Sequence, residues 1–122
     1  MGPLETDLEQ KYQGQGFHVL GFYSNDFGNQ AGDPEACTGT YNVTFPQFQI
    51  DHVVGASARP VFKWLVAQPG FEGSAPTWNF HKWLVARDGT LVATWSTTVN
   101  PGVDNPGDPN DIPSRIEAEL AK

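Results

Sequence analysis

Among the side chains of this 122-residue chain whose types could do chemistry are the indole of Trp78 and the carboxamides of Asn79 and, far upstream, Gln30. An indole N–H and carboxamide N–H groups are neutral hydrogen-bond donors. Donors of this kind around a sulfur favour its ionised form, and aimed at a leaving oxygen they stabilise the charge that develops there. The chain has one thiol, Cys37, seven residues after Gln30. The donors sit in two segments, Leu20-Gly21-Phe22-Tyr23-Ser24-Asn25-Asp26-Phe27-Gly28-Asn29-Gln30 and Trp78-Asn79-Phe80-His81-Lys82-Trp83-Leu84. Each couples a short apolar strand to polar side chains at one of its ends.

Other chemistries are poorly supported. His18, His52 (beside Asp51) and His81 lack metal-ligand spacing to other His or Cys residues. Asp104, Asp108 and Asp111 are acidic enough for calcium, but Pro106 and Pro109 break the loop pattern such a site needs. A net charge of -7 with seven scattered basic residues argues against nucleic acid, which needs clustered Lys and Arg. No apolar run reaches membrane-spanning length and the N-terminus has no basic-then-apolar leader pattern. A single cysteine forms no internal disulfide, which leaves the cytoplasm as the expected compartment.

The donors need elements to hold them. Leu4, Leu8 and Tyr12 recur at one-turn spacing, which predicts a helix from Leu4 to Gln13, stopped by Gly14 and Gly16. Phe17 to Tyr23 reads as a buried strand, and the turn-prone Ser24-Asn25-Asp26 ends it. Ala31 to Thr40 is a connection punctuated by Gly and Pro, and Gln47 to Val53 an extended stretch after Phe45-Pro46. Ala58 to Gln68 reads as an amphipathic helix with Val61, Trp64, Leu65 and Gln68 on one face, halted by Pro69-Gly70. Phe80 to Ala86 and Leu91 to Trp95 are the arms of a hairpin turned by Arg87-Asp88-Gly89-Thr90. After the loop Asn100 to Asn110, a last helix starting at Asp111 or Ser114 aligns Ile112, Ile116 and Leu120. This order predicts one α/β domain over residues 1–122, with parallel strands joined through helices and one antiparallel edge.

The two donor segments, in this order, resemble the internal signatures of the glutathione peroxidase family, a branch of the thioredoxin fold. Phe27-Gly28-Asn29-Gln30 is similar to its Phe-Gly-x-Gln, and Trp78-Asn79-Phe80 to its Trp-Asn-Phe. Tyr41-Asn42-Val43-Thr44-Phe45-Pro46-Gln47-Phe48 resembles its Tyr-Gly-Val-x-Phe-Pro-x-Phe stretch, and Ala58 to Leu65 one of its helices. The resemblance implies a thioredoxin-like mixed sheet with flanking helices. It also implies reduction of hydrogen peroxide or organic hydroperoxides in the oxidative stress response, an antioxidant role with glutathione or thioredoxin as reducing substrate and no bound cofactor or metal. Gln30, Trp78 and Asn79 would then hydrogen-bond the oxidised sulfur and the peroxide.

Departures from the family pattern shape the remaining expectations. Tyr23, Ser24 and Asp26 stand where the family has Pro, Cys and Gln, and the Gln30–Cys37 connection is short. The resemblance implies an N-terminal hairpin and a central strand ending in the peroxidatic Cys or Sec, and no such segment precedes Leu4 in this sequence. The expectation is a fragment, a mis-started product, or a chain completed by a partner strand or by homo-oligomerisation at exposed edges. On its own it should be inactive or weak. Two readings of Cys37 stand open, a resolving thiol and a small buried hydrophobe, and Trp78 has a core-aromatic alternative. The rival functional reading is a non-catalytic relative that binds a partner chain through its strand edges; a third has Cys37 itself attack peroxide.

Overall fold

The computed structural model describes residues 4–27, 44–72, 74–78, 80–96, 99, 101 and 111–122. The chain divides into two compact units. One comprises Met1–Gly21, Gly32–Phe48 and Asn100–Lys122, the other Phe22–Ala31 and Gln49–Val99.

In the first unit the expected N-terminal helix is present but unevenly wound. Leu4–Glu9 is a π-helical turn, Gln10–Tyr12 is α-helical and Gln13–Gln15 tightens to 3-10 geometry; together these form α1. Gly16, at φ 91°, ends it by donating its amide to the Gln13 carbonyl at 3.0 Å, a left-handed cap that glycine adopts without a Cβ clash. Leu8 and Tyr12 are buried as the spacing predicts. Glu5 and Glu9, four residues apart on the same helix, are buried too, each to hold backbone. Glu5 Oε1 accepts from the Thr44 amide at 2.7 Å and from the Thr44 hydroxyl. Glu9 accepts from the Val19 amide at 2.7 Å and meets His18 Nδ1 at 3.0 Å. Burial of a carboxylate is tolerated where such charge-assisted bonds replace water.

The strand expected over 17–23 narrows to β1, Gly21–Phe22, which pairs with β2, Gln47–Phe48. The Gly21 amide donates to the Pro46 carbonyl at 2.9 Å, and a Cβ on Gly21 would meet the Phe45 ring at 3.2 Å. The glycine thus lets the buried Phe45 ring lie directly on the backbone. The C-terminal helix of this unit, Ile112–Leu120, begins at the earlier of the two predicted starts. Asp111 caps it, its carboxylate accepting from the Ser114 amide at 2.7 Å. Ile112 and Ile116 face inward, and the Tyr12 hydroxyl donates to Glu117 Oε1 at 2.7 Å, tying this helix to α1.

The second unit holds α2, Pro60–Val66, and the hairpin of β3, Lys82–Val85, with β4, Leu91–Trp95. Pro60 occupies the first turn of α2, where no intrahelical N–H is needed. The buried face of α2 corrects the sequence expectation. Phe62 and Leu65 point into the core, whereas Val61 and Trp64 are 36% and 39% exposed. Two aromatic neighbours decide the rotation: Phe22 and Trp83 each meet the Phe62 ring edge-to-face, at 5.4 and 5.5 Å. Val53, Ala58, Phe62, Leu65 and Leu91 form this unit's core, with Phe22, Phe27, Val54, Phe71 and Trp83 packed around it.

The hairpin forms where Asp88-Gly89 predicts it. Gly89 takes φ 88°, Ala86 N–H donates to the Thr90 carbonyl at 2.8 Å, and Asp88 Oδ1 accepts from Thr90 N–H at 2.9 Å. Pairing is antiparallel, with Lys82 opposite Trp95 and an irregularity between Leu84 and Val85. β3 starts two residues later than expected because Phe80 adopts φ 62° and leaves the extended region. Among the described residues the strands form two two-stranded pairs, β1–β2 and β3–β4, where the sequence predicts a single mixed sheet; the helix-and-strand order itself is the α/β order expected.

Candidate active site

All the described residues of the candidate site belong to the second unit. Trp78 lies just ahead of β3 and is 46% exposed, so the core-aromatic alternative does not describe it. Its ring meets that of Phe27 with centroids 6.1 Å apart and planes inclined at 47°. Phe27 itself rests on the core built around Val53 and Phe62. The segment that carries Phe27-Gly28 and the segment that carries Trp78 are therefore in contact through their aromatic rings. Gln30, Asn79 and Cys37 lie outside the described residues.

The chain after Trp78 is fixed by a short polar relay. Lys82 Nζ donates to the Phe80 carbonyl at 2.6 Å, bracing the positive-φ turn, and burial lowers the Lys82 pKa from its ordinary value. Thr94 Oγ1 donates to the Lys82 carbonyl at 2.9 Å, which uses its one proton. His81 Nε2, 3.0 Å from the same oxygen, must then be the donor, so His81 carries its proton on Nε2. Among the described residues, His81 Nδ1 is left buried without a partner, as is Trp83 Nε1. The His81 ring lies 4.5 Å from that of Trp83, inclined by 31°. Burial, with the Lys82 charge second, lowers the His81 pKa.

A second polar group stands on the other side of Phe27. Asp26 Oδ1 lies 2.8 Å from His52 Nδ1, and Asp26 Oδ2 accepts from the amides of Val53 at 2.8 Å and Val54 at 3.3 Å. The Val53 amide bond chiefly, opposed by burial and aided by His52, holds the Asp26 carboxyl below its usual range. The hydrogen bond to Asp26, and then its charge, raises the His52 pKa. No group of three or more His, Cys, Asp or Glu among the described residues could hold a metal ion.

A family model described as glutathione peroxidase matches residues 4–66, half of the chain. The chain belongs to the glutathione peroxidase family. It is 43% identical over 103 residues to "Probable glutathione peroxidase 5" of Arabidopsis thaliana, covering 79% of this chain. It is 38% identical over 121 residues to "Glutathione peroxidase homolog BsaA" of Staphylococcus aureus, covering 94% of this chain and 69% of that protein. The crystal structure of Trgpx in apo form superposes with a TM-score of 0.66 at 31% identity, covering 98% of this chain and 71% of that one. The thioredoxin-like fold expected from the sequence is thereby established. The chain spans little more than half the length of several relatives, 59% of the Arabidopsis protein and 51% of "Glutathione peroxidase 7" of Homo sapiens.

Of the four residues that the glutathione peroxidase resemblance assigns to the site, the structure describes Trp78 and shows it beside the first motif. The Asp26–His52 pair is what sequence reasoning missed. Asp26 is visible in the sequence as a departure from the family's Gln, and His52 adjoins another acidic residue, Asp51. Twenty-six positions separate the partners, and no local periodicity links them.

Proposed function

We propose that this chain is a thiol-dependent peroxidase of the glutathione peroxidase type, reducing hydrogen peroxide or organic hydroperoxides with glutathione or thioredoxin. One observation carries the reading: Trp78 of the Trp-Asn-Phe segment stands exposed at the edge of the hairpin, in ring contact with Phe27 of the other motif. A thiolate attacks one peroxide oxygen; the O–O bond breaks, the sulfur becomes a sulfenic acid, and the other oxygen leaves as water or alcohol after taking up a proton. A thiol then displaces water from the sulfenic acid to form a disulfide, and a second thiol restores the first. Gln30, Trp78 and Asn79 supply neutral N–H donors to the sulfur and the leaving oxygen. In this reading the indole, nearly half exposed, supplies its N–H to the reacting group.

Cys37 is assigned the resolving role. It is the one thiol of residues 1–122 and lies downstream of Gln30, away from the position the family gives its attacking sulfur. The 122-residue chain by itself is therefore proposed to be inactive or weak. The test is peroxide consumption with glutathione, and separately with thioredoxin and its reductase, by the protein and by Trp78→Phe. A preference for one reductant identifies the physiological thiol. In any form that turns over, an unchanged rate in Trp78→Phe would remove the indole from the mechanism.

A further inference from the structure

We propose that Asp26 and His52 form a clasp that positions Trp78, by fixing the loop whose next residue, Phe27, supplies the ring against which the indole rests. The inference rests on the reading of Trp78 as a site donor and adds two positioning residues to it. Neither of them touches the reacting atoms.

The geometry is that of a tie between two segments of the second unit. The Asp26 carboxylate, 12% exposed, bonds His52 Nδ1 and the two successive amides of Val53 and Val54. Its own amide donates to Ser24 Oγ at 3.1 Å, closing the turn from the inside. Val53 is a member of the buried core and Phe27 packs on that core, so the clasp sets the depth at which Phe27 is seated. One covalent step separates Asp26 from Phe27, and one ring contact separates Phe27 from Trp78. A carboxylate with three donors is held in a single orientation, whereas a Gln side chain at this position could not accept from all three with a charged oxygen.

His52 makes the clasp sensitive to pH. Its side chain is 61% exposed and so exchanges protons freely. The charged groups around it are Asp26 on the facing loop, Asp51 on its own segment, and Arg59 at the start of α2. Asp51 Oδ1 accepts from the His52 amide at 2.7 Å. Arg59 donates its amide to the His52 carbonyl at 2.9 Å, while its guanidinium turns away to the Gln49 carbonyl and lies over the Phe22 ring. Both carboxylates favour the imidazolium. Below its pKa His52 is a cation paired with Asp26; above it the charge is lost and the bond weakens, leaving the amides of Val53 and Val54 on Asp26 and the Asp51 amide on the Tyr23 carbonyl, at 3.1 Å, to retain the loop.

The experiment is an NMR titration of the intact chain between pH 5 and 9. It follows the Trp78 indole N–H, assigned with Trp78→Phe, together with the His52 ring protons. The clasp predicts that the Trp78 resonance shifts with the same midpoint as His52, above the ordinary imidazole value of about 6.5, and that the shift vanishes in His52→Gln. A Trp78 resonance that stays still while His52 titrates, or that shifts equally in His52→Gln, overturns it. The wild-type titration decides the matter even where a variant folds poorly. Trp83, stacked on His81, serves as an internal contrast, because His81 titrates on the acid side. No peroxide enters this measurement. An unchanged peroxidase rate in Trp78→Phe, in a form that turns over, with coupled titrations would strike the donor role of the indole and spare the clasp, and the reverse pattern would strike the clasp alone.

Discussion

The rings of Phe27 and Trp78 lie 6.1 Å apart at 47°, and through this contact two motifs separated by fifty residues of chain meet. The contact is between an anchored ring and an exposed one: Phe27 is seated on the core, while nearly half of Trp78 remains open to solvent. An aromatic backing fixes where an indole sits without using its N–H, which leaves that donor for a substrate.

Trp78→Phe keeps the ring and deletes the donor. In any form of the protein that consumes peroxide, kcat/KM should fall about 100-fold or more, the cost of losing one donor to developing charge, while the urea midpoint stays near the parent value. Phe27→Ala should do the converse to the fold. It exposes the indole, raising acrylamide quenching of Trp78 fluorescence, and lowers stability by about 1–3 kcal/mol because the ring is only partly buried.

Phe62 is the pivot of the second unit, sandwiched edge-on between Phe22 and Trp83. Phe62→Ala should cost about 3–5 kcal/mol, read from urea denaturation, whereas Val61→Ala on the exposed side of the same helix should change the midpoint little. Equal losses from the two substitutions would return the helix to the orientation its spacing suggested.

Asp111→Ala removes the carboxylate that accepts from Ser114 N–H and should destabilise the C-terminal helix by about 1 kcal/mol. Asp111→Asn, which can still accept that bond, should recover most of the loss in the same denaturation experiment.

Stability should respond to pH through two histidines of opposite sign. Burial lowers the folded pKa of His81, so below about 6.5 the unfolded chain takes up the proton first and stability falls as the pH drops toward the folded value. His52 has a raised folded pKa, so its contribution is complete below about 6.5 and is lost as the pH rises through that raised value. Urea midpoints measured from pH 5 to 8 should show His81→Gln flattening the acid limb and His52→Gln flattening the neutral limb. His81→Gln leaving the acid limb unchanged would remove His81 from that side of the profile.

Local signals carried much of this architecture. Leu8 and Tyr12, Ile112 and Ile116, and the Asp88-Gly89 turn were legible because their spacing or turn chemistry is dictated within a few residues. The buried face of α2 was not, since Val61, Phe62, Trp64 and Leu65 offer two apolar stripes and distant Phe22 and Trp83 choose between them. Burial of Glu5 and Glu9 was equally hidden, because their partners Thr44 and Val19 are set by tertiary structure. At the site, Trp78 was found through its motif, while the Asp26–His52 pair required two segments to be brought together. Gln30, Asn79 and Cys37 keep their assignments from the family pattern alone.

The most direct test of the account is peroxide consumption by the 122-residue chain beside Cys37→Ser, with glutathione or with thioredoxin and its reductase. The account predicts little or no turnover and no difference between the two proteins, as expected of a donor set whose one thiol resolves and does not attack. Rapid turnover that disappears in Cys37→Ser would contradict it, making Cys37 the attacking sulfur.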